Sequence, residues 1–427
     1  MLDTRMKVLL KNVFGSAAAR FVNLFITLAM VPLTINALSP TDYAYFAMAI
    51  SLSVLATYAD LGMGLAVVNV IAERGTRPKS LKAQRAVSVV WFTLLGIAAL
   101  GISLVLLLAA WVNFGLASDS THQYNAMLLA AGCVFAGLPT GLVQRVLFAE
   151  QKNIQANAWS TGARLLSLVT VWILVVTGNA NLLMLVLAVI GVPLGLGWIS
   201  VYVIFGNTHM SIFRPTATHY DIRLLRPYLL VGMSFLIMQL VPYVETGFDT
   251  ILIGKAVNIN LVPAFDVYSK LFTYVPALVS IGAFPLWPAI ANAKIKGEIS
   301  WIVKARKWSY LVVGVLSIAS STFFFVFSFK LLTIWTGKEL ILPSGAILAM
   351  ALFAILTCIG TVQTMILSGV GIIKGQLKIY SYYILVLISF KLFAAFQFGL
   401  SAMLWVLNII YIMRLCLAEH LMNKIYK

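Results

Sequence analysis

Charged residues are scarce in this sequence, and acidic residues are the scarcest. Charged residues make up 10% of the 427 positions, with 13 Asp and Glu against 30 Lys and Arg. A soluble protein of this length needs far more charge to cover its surface. A chain that is 61% hydrophobic, with a mean hydropathy of +0.98, is therefore predicted to lie in a membrane.

Cysteine and histidine are also rare, with three and four residues, and their spacing indicates neither a metal site nor a disulfide framework. The sequence lacks a phosphate-binding glycine loop, a dinucleotide fingerprint, a His-Glu-x-x-His motif and a serine elbow. We therefore predict no catalytic residue, no metal and no cofactor. The net charge of +17 suits cytoplasmic loops that face anionic lipid, so we predict no nucleic-acid partner.

Long apolar runs recur from one end of the sequence to the other, and each could cross the ~30 Å hydrocarbon layer as a helix. The strands of a barrel would instead alternate apolar and polar residues over short runs. We predict an all-α polytopic membrane protein with about twelve transmembrane helices. The predicted spans are 13–37, 43–71, 87–112, 124–148, 157–178, 181–205, 227–254, 265–291, 308–332, 343–369, 379–398 and 401–419.

Lysine and arginine concentrate in alternate loops, which predicts the orientation of the chain. Only Lys338 lies clearly on the opposite side. The basic side includes Arg5, Arg74, Arg77, Lys79, Arg85, Arg145, Lys294 and Arg414. Both termini are therefore predicted to be cytoplasmic, which requires an even number of spans.

The longest polar stretch, 206–227, divides the predicted spans into two equal groups. We predict an N-terminal lobe at 1–206, a cytoplasmic linker at 207–226 and a C-terminal lobe at 227–427. Equal orientation would relate the lobes as parallel, pseudo-symmetric repeats. Prolines inside the spans predict kinks or breaks, and they are Pro32, Pro139, Pro193, Pro242, Pro276, Pro285 and Pro288.

Two arginines inside apolar spans are candidates for binding the substrate, because a charge in lipid is costly unless it pairs or meets water. Arg20 and Arg164 lie about 10–14 Å from the predicted cytoplasmic ends of their spans. Two guanidinium forks at similar depth suit a pyrophosphate. The alternative is snorkelling of each long side chain to the interface.

The other intramembrane charges fall mostly in pairs. Glu245 and Asp249 share a helical face, so one of them could hold a proton, and Asp266 and Lys270 are spaced as an internal ion pair. Lys391 has no acid within a turn and needs a carboxylate from another helix, a watery cavity or loss of its proton. We assign Arg20, Arg164, Lys270 and Lys391 to substrate binding, and Asp60, Glu245, Asp249 and Asp266 to ion coupling or counter-charge.

Several short motifs resemble the Wzx-type flippases of O-antigen pathways, within the multidrug/oligosaccharidyl-lipid/polysaccharide exporter superfamily. They are Lys11-Asn12, Leu38-Ser39-Pro40-x-x-Tyr43, Asp60-Leu61-Gly62, Asp249-x-x-Leu252-Ile253-Gly254 and Tyr268. The chain departs from the commonest pattern at Ser39, where glycine is usual, and at Val262-Pro263-Ala264-Phe265, where a Val-Gly-x-Tyr run is usual.

This resemblance implies two six-helix lobes around a central cavity in the bacterial inner membrane. It also implies alternating access that carries an undecaprenyl-pyrophosphate-linked oligosaccharide to the outer leaflet. A protonatable group such as Asp60, Glu245 or Asp249 would couple this movement to a gradient of H⁺ or Na⁺. We expect a monomer whose partners are the lipid-linked oligosaccharide, membrane lipids, a polysaccharide polymerase and a chain-length regulator. Two alternatives stay open: a cation-coupled multidrug antiporter of the same fold, and a membrane polysaccharide polymerase or ligase.

Overall fold

A computed structural model describes residues 4–55, 60–73, 81–115, 121–206, 210–283 and 285–423. Across these ranges the regular structure is helical and contains no strand. The predicted cytoplasmic residues Arg74, Arg77 and Lys79 lie outside them, as does His209. The side chains of Lys11 and Asn12 are not among those described either.

The first compact unit is Met1–Gln239. Its helices are α1 Thr4–Ala37, α2 Pro40–Leu55, α3 Met63–Glu73, α4 Leu81–Gly115, α5 Thr121–Gly137, α6 Gly141–Ala149, α7 Asn153–Val176, α8 Leu182–Val186, α9 Val192–Gly206 and the larger part of α10 Leu225–Pro242. Helix α1 lies along α7, α5 packs against α2 and α4, and α3 packs against α4 and α6. Fully buried valines of α3, α4 and α6 form a core there, with Val67, Val90 and Val143 at its centre.

The described part of the predicted cytoplasmic linker, residues 210–226, belongs to the first unit. Met210 and Phe213 are buried in the core that α3, α4 and α6 form. The backbone N–H of Thr216 donates to Ser88 Oγ at 3.1 Å. The compact units divide between Gln239 and Leu240, inside α10. The predicted lobes and the linker at 207–226 stay predictions.

The second compact unit is Leu240–Lys427. Its helices are α11 Asp249–Leu252, α12 Val262–Ala283, α13 Leu286–Ile295, α14 Ile299–Thr336, α15 Ser344–Val370 and α16 Ile373–Asn423. Helix α15 packs against α12, α13, α14 and α16. It is the most buried of the long apolar helices, because it forms the centre of this unit.

Nine helices within the described part are long and apolar enough to cross a membrane. Two differences explain why this number is lower than the twelve predicted spans. Helix α16 joins two predicted spans, with the non-helical residue Gly399 (φ 80°, ψ −162°) between them. The predicted spans 43–71 and 265–291 are each divided, into α2 with α3 and into α12 with α13.

Proline explains several of the helix ends. Helix α10 ends at Pro242, Pro139 lies in the 3₁₀ turn between α5 and α6, and Pro285 lies between α12 and α13. At these points the ring removes a backbone donor from the helical ladder. Helices α1 and α12 continue through Pro32 and Pro276.

The break between α2 and α3 has a different cause. Leu61 and Gly62 have left-handed backbone angles, with φ of 50° and 70°. Asp60 Oδ1 accepts a hydrogen bond of 2.8 Å from the Gly62 N–H, which closes the turn. A Cβ on Gly62 would lie 2.1 Å from the carbonyl oxygen of Gly232 in α10, so the two backbones touch directly.

Candidate functional site

A polar seam joins α1 and α7 in the first unit. Asn157 Nδ2 donates to Ser16 Oγ at 3.0 Å, and Asn23 Nδ2 donates to Thr161 Oγ1 at 3.3 Å. Ser16 precedes Asn23 in α1, and their partners Asn157 and Thr161 follow in the same order in α7. The two helices therefore run parallel. We name this line of four side chains the α1–α7 seam.

The two predicted phosphate ligands lie on the α1–α7 seam. Arg20 falls between Ser16 and Asn23 at helical spacing, and Arg164 follows Thr161 by about one turn. The axial separation of the two arginine backbones follows from the helical rise of about 1.5 Å per residue, counted from either hydrogen bond. It is about 5–9 Å. Both side chains are exposed within this unit.

A mainly apolar cavity that also contains polar and charged side chains lies at the break between α2 and α3. Asp60 forms an ion pair with Arg145 of α6, whose Nε is 3.7 Å from Asp60 Oδ2. Ser53, Thr140 and Gln144 line the same cavity of about 380 Å³. The counter-charge of Asp60 is therefore Arg145, which the pattern of basic residues assigns to the cytoplasmic side.

The chain from α10 to α11 is irregular at the predicted acids Glu245 and Asp249. After Pro242 it forms a π-helical turn, Tyr243–Gly247, and Phe248 (φ −102°, ψ 1°) separates that turn from α11. A regular helix would place both carboxylates on one face. The irregular turn instead gives them different partners.

Lys391 of α16 fills this break. Its side chain is 0% exposed, and Nζ donates to the carbonyl oxygens of Val244 at 3.1 Å and Glu245 at 2.6 Å. The third partner is the carboxylate of Asp249, with which Lys391 forms an ion pair. An ammonium group has three donors, and three oxygens contact this one, two through hydrogen bonds and one through the ion pair. A role for Lys391 at the substrate stays a prediction, and it would require the ammonium to leave these oxygens.

The second acid, Glu245, belongs to a tyrosine-rich cluster. Tyr383 OH donates to Glu245 Oε1 at 2.9 Å. Beside it the Arg414 guanidinium lies 4.1 Å from the ring centre of Tyr411, with the rings of Tyr380 and Tyr383 at 5.4 and 5.6 Å. Stacked aromatic rings stabilise a buried guanidinium. With Asp249 and Lys391 included, the buried group has two acids and two bases, so its formal charge is zero.

Further polar contacts continue from Arg414 toward the end of α16. Gln363 Nε2 of α15 donates to Glu419 Oε2 at 3.3 Å, and Tyr310 OH of α14 donates to the same oxygen at 3.1 Å. Arg306 pairs with Glu419 Oε1 at 3.3 Å. Glu419 of α16 therefore joins polar side chains of α14 and α15.

Asp266 and Lys270 form the ion pair predicted from their spacing on α12. Their side chains are partly exposed, and this pair involves one helix only. It is thus simpler than the Lys391 site, in which two separate segments meet.

Sequence reasoning passed over Arg145 and Arg414 as site residues, because both were counted with the cytoplasmic basic residues. A signal was present, since each lies inside its own predicted span, 124–148 and 401–419. The partner of Arg145 could not be deduced, because Asp60 comes from a distant part of the chain. The rings of Tyr380 and Tyr383 contact Arg414 from positions about 30 residues earlier in the chain.

Comparison with known proteins gives two findings. The profile of a family described as polysaccharide biosynthesis protein matches residues 9–294. No curated protein matches the sequence.

The chain belongs to the polysaccharide biosynthesis protein family.

Solved structures support the same fold. An inward-facing multidrug resistance MATE family transporter of the MOP superfamily superposes with a TM-score of 0.76, at 14% identity over 94% of this chain and 95% of that one. An outward-facing one gives 0.64, at 15% identity over 96% and 93%. The MATE multidrug transporter DinF-BH gives 0.70, at 16% identity over 98% and 95%.

These matches show that this polysaccharide biosynthesis protein has the fold of the MATE structures, and its long apolar helices indicate a multi-pass membrane protein. They confirm the all-helical, two-lobed membrane fold. The exact number of spans and the cytoplasmic side of the termini stay predictions.

The family match covers the acid of the buried ion pair, Asp249, but not its base, Lys391. The matched residues of this polysaccharide biosynthesis protein include Arg20, Arg164 and Asp249. They end before Lys391 and Arg414. The acids of the helix break therefore lie inside the matched region, and their cations lie beyond it.

Proposed function

We propose that this polysaccharide biosynthesis protein carries an undecaprenyl-pyrophosphate-linked oligosaccharide, such as an O-antigen repeat unit, from the inner to the outer leaflet of a bacterial inner membrane. It works by alternating access and is coupled to a gradient of H⁺ or Na⁺. The observation that supports this proposal is the α1–α7 seam, where Arg20 and Arg164 lie on packed, parallel apolar helices.

The chemistry of the seam suits a pyrophosphate. A guanidinium group donates two parallel hydrogen bonds to phosphate oxygens, and two such groups match the two phosphates of the headgroup. The axial offset of about 5–9 Å is within reach of two long side chains that converge on one ligand. The neighbouring Ser16, Asn23, Asn157 and Thr161 add hydroxyl and amide groups that suit sugar hydroxyls.

The acids of the chain favour an anionic substrate over an organic cation. Asp60, Asp249 and Asp266 each pair with a basic side chain of the protein. A cation-coupled multidrug antiporter needs acids that can receive the drug's charge. Drug susceptibility of a deletion strain tests this alternative, because loss of surface polysaccharide with unchanged susceptibility would exclude it.

The test of the proposal is complementation of a deletion strain with Arg20→Ala, Arg164→Ala and the double variant. A lost charge-assisted hydrogen bond costs about 1.5–3 kcal/mol, or about 10–150-fold in affinity. We therefore expect each single variant to reduce surface polysaccharide, the double variant to abolish it, and the Lys variants to restore part of it. Purified protein in proteoliposomes with labelled lipid-linked oligosaccharide gives the same comparison as a transport rate.

Lys330→Ala is the matched control, since Lys330 is an exposed basic residue in the apolar helix α14. It should transport normally, with equal amounts of every variant in the membrane. Full transport by the double arginine variant would contradict the assignment of the phosphate site. Polymerised or transferred sugar made by the purified protein would instead favour the polymerase or ligase alternative.

A further inference from the structure

The Lys391 site differs from an ordinary ion pair in the number and kind of its oxygens. The ammonium contacts one carboxylate and two backbone carbonyls, all from the break between α10 and α11. Asp249 Oδ2 is also buried and makes no hydrogen bond with the described residues. Three oxygens of the break thus contact one positive charge. Carboxylate and carbonyl oxygens are the ligands that hard cations take in proteins.

The backbone adds to the negative potential of this site. The last carbonyls of a helical segment have no intrahelical partner and carry its negative dipole end. The π-helical turn Tyr243–Gly247 ends beside Lys391, and the carbonyl oxygens of Val244 and Glu245 in that turn face its ammonium group. The ring of Phe248, centred 5.2 Å from Nζ, adds a cation–π contact.

We propose that the break between α10 and α11 is a binding site for a monovalent cation, and that the Lys391 ammonium is its permanent occupant. The protein carries a tethered cation where a free alkali ion would otherwise bind. Removing the ammonium while keeping the oxygens should therefore open the site to Na⁺ or K⁺. The proposal concerns the second unit by itself and does not depend on the substrate, so the proposed function can fail while this inference stands.

The test measures melting temperature in detergent for Lys391→Met, with sodium, potassium or choline chloride at one ionic strength. Methionine keeps the length of the side chain and removes the charge. A ligand that binds only the folded state stabilises it as its concentration rises above the dissociation constant. We expect Lys391→Met to melt at least about 3 °C higher in saturating NaCl or KCl than in choline chloride. Wild type should melt at the same temperature in all three salts.

Two controls separate the site from a general salt effect. Asp249→Asn/Lys391→Met removes the carboxylate as well, and its response to alkali salt should disappear. Lys270→Met opens the simpler pair with Asp266 on α12 and should show no response. If Lys391→Met does not fold, Lys391→Gln serves in its place, because its amide can still donate to one carbonyl.

The result that overturns the proposal is equal melting of both Lys391 variants in alkali and choline salts. Alkali-dependent stabilisation of the wild type that Asp249→Asn abolishes would overturn it as well, because a free ion would then bind beside Lys391. The wild-type measurement needs no variant that might fail to fold. An alkali response confined to the Lys391 variants, and lost in the double variant, supports the tethered cation.

Discussion

The direct backbone contact between Gly62 and Gly232 leads to a sharp prediction about stability. A Cβ on Gly62 would lie 2.1 Å from the Gly232 carbonyl oxygen, and a Cβ on Gly232 would lie 2.6 Å from the Leu61 carbonyl oxygen. Neither obstacle is a flexible side chain. An alanine at either position must therefore push the break between α2 and α3 away from α10.

The cost can be estimated from two separate terms. At Gly62, φ of 70° costs an L-residue about 1–2 kcal/mol, and overpacking adds about 1–3 kcal/mol. Gly232 is inside a helix, where alanine would gain about 1 kcal/mol in propensity, so overpacking alone must cause any loss. We expect Gly62→Ala to lose about 2–5 kcal/mol and Gly232→Ala up to about 2 kcal/mol of unfolding free energy.

Other glycines of the chain supply matched controls. Gly297 has nearly the same backbone angle, with φ of 75°, yet a Cβ there meets nothing within 4 Å. Gly314 is a helical glycine of α14 with equally open space. Gly297→Ala should show the conformational cost alone, and Gly314→Ala should be neutral or stabilising.

The assay is the melting temperature of the purified variants in one detergent, with the amount of folded protein measured by gel filtration. The double variant Gly62→Ala/Gly232→Ala should lose less than the sum of the single losses, because one displacement relieves both contacts. Equal melting of Gly62→Ala and Gly297→Ala, with Gly232→Ala as stable as Gly314→Ala, would refute the close approach of the two backbones.

Two further predictions concern the tyrosine-rich cluster of the second unit. Gly360→Ala should destabilise the protein, because its Cβ would lie 2.3 Å from Tyr411 OH and 2.4 Å from Arg414 Nη2; a melting temperature equal to that of Gly314→Ala would contradict this. Tyr383→Phe should lower the unfolding free energy by about 1.5–3 kcal/mol, because it leaves Glu245 Oε1 without its donor. Thermal unfolding measures that loss, and Tyr382→Phe, at an exposed neighbour, is the control that should not change stability.

Hydropathy predicts where this chain enters the membrane better than it predicts where the helices stop. The apolar runs identified the long helices because lipid imposes one requirement on every spanning segment. The break at Asp60-Leu61-Gly62 has no such signal, since a side-chain hydrogen bond and a touching glycine in α10 maintain it. Gly399 likewise ends a helical segment within α16 without a polar loop.

The candidate site was predicted in its residue types and only partly in its contacts. Spacing alone predicts the ion pair of Asp266 and Lys270, because residues four apart lie about one turn from each other on the same helical face. Lys391 was predicted to need a carboxylate from another helix, a watery cavity or loss of its proton, and the structure places the carboxylate of Asp249 beside it. That choice among acids depends on the π-helical turn after Pro242, which turns Asp249 and Glu245 toward different partners. Local sequence does not encode such a turn.

The position of the buried ion pair in the sequence also determines the order in which its parts are made. Asp249 and Glu245 are synthesised about 140 residues before Lys391, which is about 7–30 s at ~5–20 residues per second. During that interval two acids are present in a nascent membrane segment without the cations that will neutralise them. Their accommodation has to come from the insertion machinery, from bound protons or from water. Synthesis of the α16 segment that carries Lys391 and Arg414 is thus the step that removes the need for such help.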